Sequence, residues 1–396
     1  MKIALLKLGG RVTPSDERNV QVSIGETHAV MNMLLQADPR NEITVFTKIL
    51  ESDKAVDSKR IKWLHMADCI DSVRRMNFDV CIIMNGNLNY FGGKDDFEKQ
   101  TANMFIINRI RCPLVYILCD PALPFQQSWR WIRYKSWANK YRESDIVVKR
   151  RDVTYICQTF NTAWYSHRVS KLKHGIPGHQ YLPFAFEKVV AFSNAFLKQG
   201  GVSVLPLRDR EVDLSYGGTM RDGSRAQKMI DFYWGYPKDI SVEMFGKITR
   251  KDFDSTKVQN KHVEYEGLRP PTFGPMVPYN DMLAKNQRML AHVVIGDPIY
   301  YDSDVVPHRT YESLLAGTLT LIDSALDPQR RVYGNHKSLS KWLYASDREH
   351  VAKVLRQVKR SPQLLLDLVR TSQSVTEFDH SAYCKEFMQL VKSAIR

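Results

Sequence analysis

Along the first 120 residues, short apolar runs alternate with stretches in which apolar residues recur every three or four positions. Ile3–Leu8, Ile43–Thr47, Val80–Met84 and Leu114–Leu118 are rich in aliphatic and β-branched side chains, the composition of strands buried on both faces of a parallel sheet. Between the first two runs, Ser23-Ile24-Gly25-Glu26 has the form of a capping box, and Ala29, Val30, Met33 and Leu34 follow at helical spacing. A second helical stretch, Phe97–Ile110, precedes the fourth strand. Strand, helix, strand in succession predicts an α/β domain with right-handed crossovers.

The pattern begins again past residue 205. Strands are predicted at Val212–Tyr216, ending in Gly217-Gly218, and at Ser241–Phe245, His262–Tyr265, His292–Ile295 and Leu319–Ile322. Helices are predicted around Ala226, Met229, Ile230 and Phe232, over Tyr279–Leu290 and over Thr310–Ala316. The expectation is two doubly wound domains, 1–190 and 205–375. The linker or insertion between them falls within 185–211, which contains Gly200-Gly201 and Pro206. A last helix, 378–396, carries Tyr383, Phe387, Leu390, Val391 and Ile395 on one face and needs a surface to pack against. Two such domains facing one another place a cleft at the carboxyl ends of both sheets, so the loops after the strands are where ligand-binding residues belong.

Composition narrows the class. The 396 residues are 43% hydrophobic, enough for two cores, and no run reaches the roughly 18 apolar residues of a membrane span. The amino terminus, Met1-Lys2-Ile3-Ala4, is charged too early for a signal peptide, which predicts a cytoplasmic protein with no membrane partner. Six scattered cysteines without a Cys-x-x-Cys pair argue against disulfides and metal sites. The net charge of +14 points toward a polyanionic partner.

Four segments carry candidate chemistry. Tyr216–Arg225 contains Gly217, Gly218, Thr219, Arg221 and Arg225 between a strand and a helix, where backbone N–H groups and two arginines attract a phosphate. His308-Arg309-Thr310-Tyr311-Glu312 opens another helix of the same domain; Arg309 suits a phosphate and Glu312 the hydroxyls of a ribose, with a surface ion pair as the competing role. Asp120 follows the strand Leu114–Leu118 and is either a general base for a hydroxyl or a helix N-cap. Residues 128–142 interleave cations with aromatics and contain no acid. Arg130, Arg133 and Lys135 suit phosphates there, and Trp129 and Trp131 suit stacking on bases, although some of these rings belong to a core.

Taken in order, these segments resemble the DNA β-glucosyltransferase family of T-even bacteriophages. The resemblance also runs through Met1–Ala4, Asn89-Tyr90-Phe91-Gly92-Gly93-Lys94, Leu123–Trp129 and Val294-Ile295-Gly296-Asp297. It implies a GT-B fold with the last helix crossing back to the first domain. It implies that Asp120 is the catalytic base and Glu26 an acid facing the same cleft. Arg221, Arg225 and Arg309 become diphosphate ligands, Glu312 a ribose ligand, Val277 the backbone that reads uracil, and Tyr300 a further donor contact. The implied reaction is inverting transfer of a sugar from a UDP-sugar to 5-hydroxymethylcytosine in flipped-out double-stranded DNA, inside an infected bacterium, protecting phage DNA from restriction. No cofactor is required, a divalent ion such as Mg2+ is at most stimulatory, and the expected state is a monomer.

Where the family has an acid after a Tyr-x-Pro segment, this chain has Phe184-Ala185-Phe186. Glucose is the expected sugar, with a pentose from UDP-arabinose as the alternative. A transferase with a non-DNA acceptor and a silent DNA-binding protein are the competing functions, as is hydroxymethyluracil for the base.

Overall fold

The apolar runs of the first half become β1 (Lys2–Lys7), β2 (Glu42–Thr47), β4 (Val80–Met84) and β5 (Leu114–Leu118), joined by β3 (Ile61–His65), β6 (Val153–Cys157) and β7 (Gln180–Pro183). All pair in parallel in the order β3-β2-β1-β4-β5-β6-β7. Ala4, Leu5, Leu6, Ile82, Ile83 and Val115 are fully buried, so the central strands are covered on both faces. This is a computed structural model, and it describes residues 1–7, 30–47, 60–65, 72, 76–84, 110–118, 153–157, 180–183, 204–220, 225–254, 265–277, 281–307, 309–334, 336–376 and 380–395. The chain divides into two units, residues 1–186 with 379–396, and residues 187–378.

The second unit holds β8 (Val212–Thr219), β9 (Val242–Lys247), β10 (Thr272–Gly274), β11 (Met289–Val294), β12 (Leu319–Asp323) and β13 (Tyr344–Ala345). Their order is β10-β9-β8-β11-β12-β13, again all parallel. The order reverses between β8 and β11, so the connections leaving these two strands pass to opposite faces and open a crevice at their carboxyl ends.

Three predicted elements of this unit shift. β8 does not stop at Tyr216 but continues through Gly217 and Gly218, because β9 pairs alongside them, Gly217 with Phe245 and Gly218 with Gly246. The glycines serve that approach: a Cβ on Gly217 would lie 2.6 Å from the Phe245 ring, and one on Gly246 would lie 2.1 Å from the Gly218 carbonyl oxygen. Of the helix expected over Tyr279–Leu290, Met282–Gln287 is helical among the described residues, and β11 begins at Met289. Met289 and Leu290 are fully buried in the sheet, which decides them as strand. Of the strand expected at His262–Tyr265, the first three residues lie outside the described ones. Tyr265 itself is in no strand; it stacks obliquely on Trp234 at 5.1 Å, and the sheet takes Thr272–Gly274 instead.

At the opposite end of this sheet, Arg210 is a clamp. Its guanidinium donates to the carbonyls of Leu205, Gln287, Met289 and Gly317, so the incoming chain is fastened to the starts of β11 and β12. The final helix, His380–Ser393, belongs to the first unit, as the GT-B expectation required. Its buried stripe is Cys384, Phe387, Met388 and Val391, however, and Ile395 is exposed. A 3.6-residue period brings those four together, whereas Ile395 lies beyond the helix end. Cys384 Sγ sits 3.5 Å from Gln36 Oε1, and Asn41 Nδ2 sits 3.9 Å from Met388 Sδ, joining the helix to the first α/β layer.

Candidate functional site

The crevice between β8 and β11, at the carboxyl end of the second sheet, holds a polar network in an apolar setting. Tyr216, on β8, is fully buried, and its hydroxyl oxygen accepts from Arg225 Nη1 at 2.9 Å and from Arg309 Nη1 at 2.8 Å. Arg225 is the N-cap of the helix Ala226–Tyr233 and is 5% exposed. Asp297, which follows β11 and caps the helix Pro298–Ser303, takes the Arg225 fork with both carboxylate oxygens: Nε donates to Oδ1 at 2.8 Å and Nη2 to Oδ2. Burial works against the Arg225 charge, but Tyr216 and Asp297 outweigh it and hold the guanidinium protonated.

Arg309 is the first residue of the helix Arg309–Leu315, and its guanidinium lies 5.4 Å over the Tyr216 ring. Its Nη1 also reaches the Gly217 carbonyl at 3.3 Å, and a Cβ on Gly218 would come within 3.1 Å of that nitrogen. The absent side chain of Gly218 therefore admits the guanidinium over the strand. Among the described residues Arg309 pairs with no carboxylate. Glu312, half-buried, lies one turn on along the same helix face.

Behind the network, His292 on β11 lies nearly parallel to Tyr216, ring centroids 6.1 Å apart. Its Nδ1 is 2.9 Å from the Ser215 carbonyl, which fixes Nδ1–H as the donor and leaves Nε2 as a buried acceptor with no partner among the described residues. Burial, with Arg309 nearby, holds its pKa down to about 3, so the ring is neutral. The loop after β11 is braced separately. Lys228 Nζ at 2.7 Å and Tyr301 Oη at 2.8 Å both donate to Asp323 Oδ2, and Gly296 N–H points at Tyr301 Oη at 3.4 Å. Tyr300, next in line, is half-buried on the same short helix. Val277 stands three residues beyond β10, beside exposed Met276.

Of the predicted donor residues, Gly218, Arg225 and Arg309 are brought together. Thr219 ends β8, while Glu312, Tyr300 and Val277 lie on neighbouring elements of the same unit. Arg221 lies outside the described residues, as do Asp120, Glu26, Trp129, Arg130, Trp131, Arg133 and Lys135. Asp120 would follow β5 by two residues. Asp302-Ser303-Asp304 has the spacing of an Asp-x-Asp metal pair. Asp304, however, sits in the left-handed region at φ 60° and is ion-paired with Arg331 at 3.0 Å.

The site also contains residues to which the sequence assigned no role. Tyr216 was part of the glycine motif and Asp297 part of the Val-Ile-Gly-Asp segment. An acid directly after a fully buried strand is the signal that singled out Asp120, and Asp297 carries it too. His292 gave no signal beyond being the one ionisable residue in an apolar strand.

Comparison with known proteins places this geometry in context. The family described as Bacteriophage T4 beta-glucosyltransferase matches residues 22–185. The DNA beta-glucosyltransferase of Enterobacteria phage T4 is 25% identical over 333 residues, covering 84% of this chain and 88% of that protein. The chain is similar to that phage family. T4 phage BGT in complex with its UDP-glucose substrate aligns with a TM-score of 0.70 at 21% identity, covering 100% of this chain and 99% of the other. T4 phage BGT in complex with UDP and Mn2+ gives 0.71 at 21% identity, with 99% of each chain covered. The fold is thus of the GT-B type, as the resemblance implied. The family match spans Asn89–Lys94 and Leu123–Trp129, two of the segments that carried the resemblance.

Proposed function

We propose that the chain is a UDP-glucose-dependent DNA glucosyltransferase acting on 5-hydroxymethylcytosine. The observation that carries the proposal is the Arg309 guanidinium, held over Gly218 at the switch point of the second sheet with N–H groups left to donate. Relationship to an enzyme named DNA beta-glucosyltransferase supports the reaction class. In this reading the diphosphate meets Arg221, Arg225 and Arg309. Of the two described arginines Arg309 has the greater capacity, because Arg225 is already engaged with Asp297. Glu312 accepts from the ribose hydroxyls, Val277 reads uracil through its backbone, and Thr219 and Tyr300 complete the pocket. Positive charge fixed in advance stabilises the negative charge that develops on departing UDP.

Asp120 takes the proton from the acceptor hydroxymethyl group as its oxygen attacks the anomeric carbon, inverting it, with Glu26 as the neighbouring acid. A divalent ion is stimulatory at most; the T4 enzyme has been crystallised with UDP and Mn2+. The acceptor base is flipped out of the duplex, because a donor held at a crevice cannot reach a stacked base. Arg130, Arg133 and Lys135 hold the DNA backbone, with Trp129 and Trp131 against bases. The protein works as a monomer in the cytoplasm of the infected host.

A second reading concerns only the sugar. The apolar Phe184-Ala185-Phe186 stands where the family carries an acid, and loss of a hydrogen-bonding group relaxes selection for the hydroxyl it bound. UDP-arabinose is then the competing donor. The test is incubation of hydroxymethylated duplex with equal UDP-glucose and UDP-arabinose, followed by mass spectrometry of the nucleosides. A hexose adduct on hydroxymethylcytosine is expected. A pentose adduct replaces the donor, an adduct on hydroxymethyluracil alone replaces the base, and unmodified nucleosides refute the reaction.

A further inference from the structure

Two guanidiniums converge on one phenol oxygen. A phenol oxygen offers two lone pairs, and Arg225 and Arg309 occupy both on Tyr216. The phenol cannot shift to follow them. Tyr233 packs edge-on against its ring at 5.3 Å, His292 covers it from β11, and Gly218 backs the hydroxyl so closely that a Cβ there would lie 3.2 Å from it. The oxygen therefore locates the guanidiniums. Arg309 spends only Nη1 on this anchor and on the Gly217 carbonyl; its Nη2 and Nε make no hydrogen bond among the described residues.

We infer that Tyr216 is a positioning residue of the donor site, its hydroxyl holding the Arg309 guanidinium so that the remaining N–H groups meet a phosphate of a nucleoside diphosphate. The inference rests on the donor-site reading above. Without the hydroxyl, Arg309 keeps its place over the ring and the longer hydrogen bond to Gly217, but loses the shorter bond that fixes the orientation of its guanidinium. Ordering it again would fall on ligand binding, which weakens affinity.

The same oxygen carries a titration. Burial raises the phenol, but Arg309 and Arg225 outweigh it, so Tyr216 ionises below the usual 10. The ionisable groups facing it are Arg225 and, behind that, Asp297; Tyr233 on the helix Ala226–Tyr233; His292 on β11; and Arg309. Tyr233 is pushed well above 10 and His292 is neutral throughout, so Tyr216 is the group of this set whose charge changes on the approach to pH 10. A phenolate there offsets the guanidiniums and weakens their pull on an anion.

The experiment is calorimetric titration of the full-length protein with UDP and with uridine, for the wild type and Tyr216→Phe, from pH 7 to 10. Tyr216→Phe is expected to bind UDP about tenfold more weakly at pH 7, with uridine unchanged, as for one lost hydrogen bond to a charged group. Wild-type preference for UDP over uridine should decline toward pH 10, and the variant's preference should not. The two ligands share the same base, so ionisation of uracil cancels in the ratio. Unchanged UDP affinity in the variant, or equal loss for UDP and uridine, overturns the inference. If the variant does not fold, a wild-type ratio independent of pH overturns it. A wild type that prefers UDP while Tyr216→Phe matches it sinks the tyrosine alone; a wild type that binds neither ligand sinks the donor site with it.

Discussion

His292 should make the second unit sensitive to acid. In the unfolded chain a histidine takes up its proton near pH 6.5, whereas in the fold this ring is buried beside Arg309 and stays neutral down to about 3. Between those two values the unfolded state binds the proton and the native state does not, so stability falls as the pH drops below 6.5. Each unit costs about 1.4 kcal/mol, so about 2 kcal/mol is lost by pH 5 from this residue alone. That is a large part of the roughly 5–15 kcal/mol that separates folded from unfolded domains. The assay is urea unfolding of wild type and His292→Leu at pH 7, 6 and 5, followed by far-ultraviolet circular dichroism. Carboxylates and the other histidines titrate alike in both proteins, so the difference between the two pH slopes isolates residue 292. The leucine variant loses the hydrogen bond to Ser215, whatever its stability at pH 7, but should fall less steeply with acid. Parallel slopes would refute the reasoning, showing either that His292 reaches solvent before unfolding or that its neutral form is not favoured.

Asp120→Asn is expected to lower turnover by about 100- to 10,000-fold with UDP affinity unchanged, the signature of a lost general base. Near-normal turnover would move that role to Glu26. Glu312→Ala should weaken UDP and uridine together, whereas Arg221→Ala and Arg309→Ala should weaken UDP and spare uridine; equal losses in the arginine variants contradict a diphosphate contact. Replacing Arg130, Arg133 and Lys135 by alanine should flatten the salt dependence of DNA binding by about one unit of slope per lost phosphate contact. An unchanged slope in a filter-binding titration would remove that segment from the DNA backbone.

The central strands were legible because nothing else explains runs such as Val80–Met84, buried on both faces and too short for a helix. β3, β6 and β7 were not, since Lys62, Thr154 and Gln180 interrupt the apolar signal at strands near or on the sheet edges. The boundary between the helix Met282–Gln287 and β11 was blurred for a related reason. Met289 and Leu290 continue the helical spacing of Met282 and Leu283, and burial of both in the sheet, with Met289 paired to Val212, decides the matter. At the site, Gly218 and Arg309 were singled out from residue type and position, a glycine at a strand end and an arginine at a helix start, and the structure brings the two side by side. What remained hidden was the partnership. That Asp297 engages Arg225 and that Tyr216 joins both arginines are facts of three-dimensional proximity between β8, β11 and two helix starts, and no spacing along the chain encodes them.

The membership of the last helix in the first unit has a consequence for biosynthesis. Residues 187–378 form a contiguous stretch whose core contains no residue of the last helix. The amino-terminal sheet, although made first, lacks Phe387, Met388 and Val391 until the last helix has been made, and those side chains are buried. Its completion waits on the helix His380–Ser393, which is made after the whole of the second unit. Premature termination past residue 378 would therefore harm the half of the protein synthesised earliest, leaving the half synthesised later able to fold.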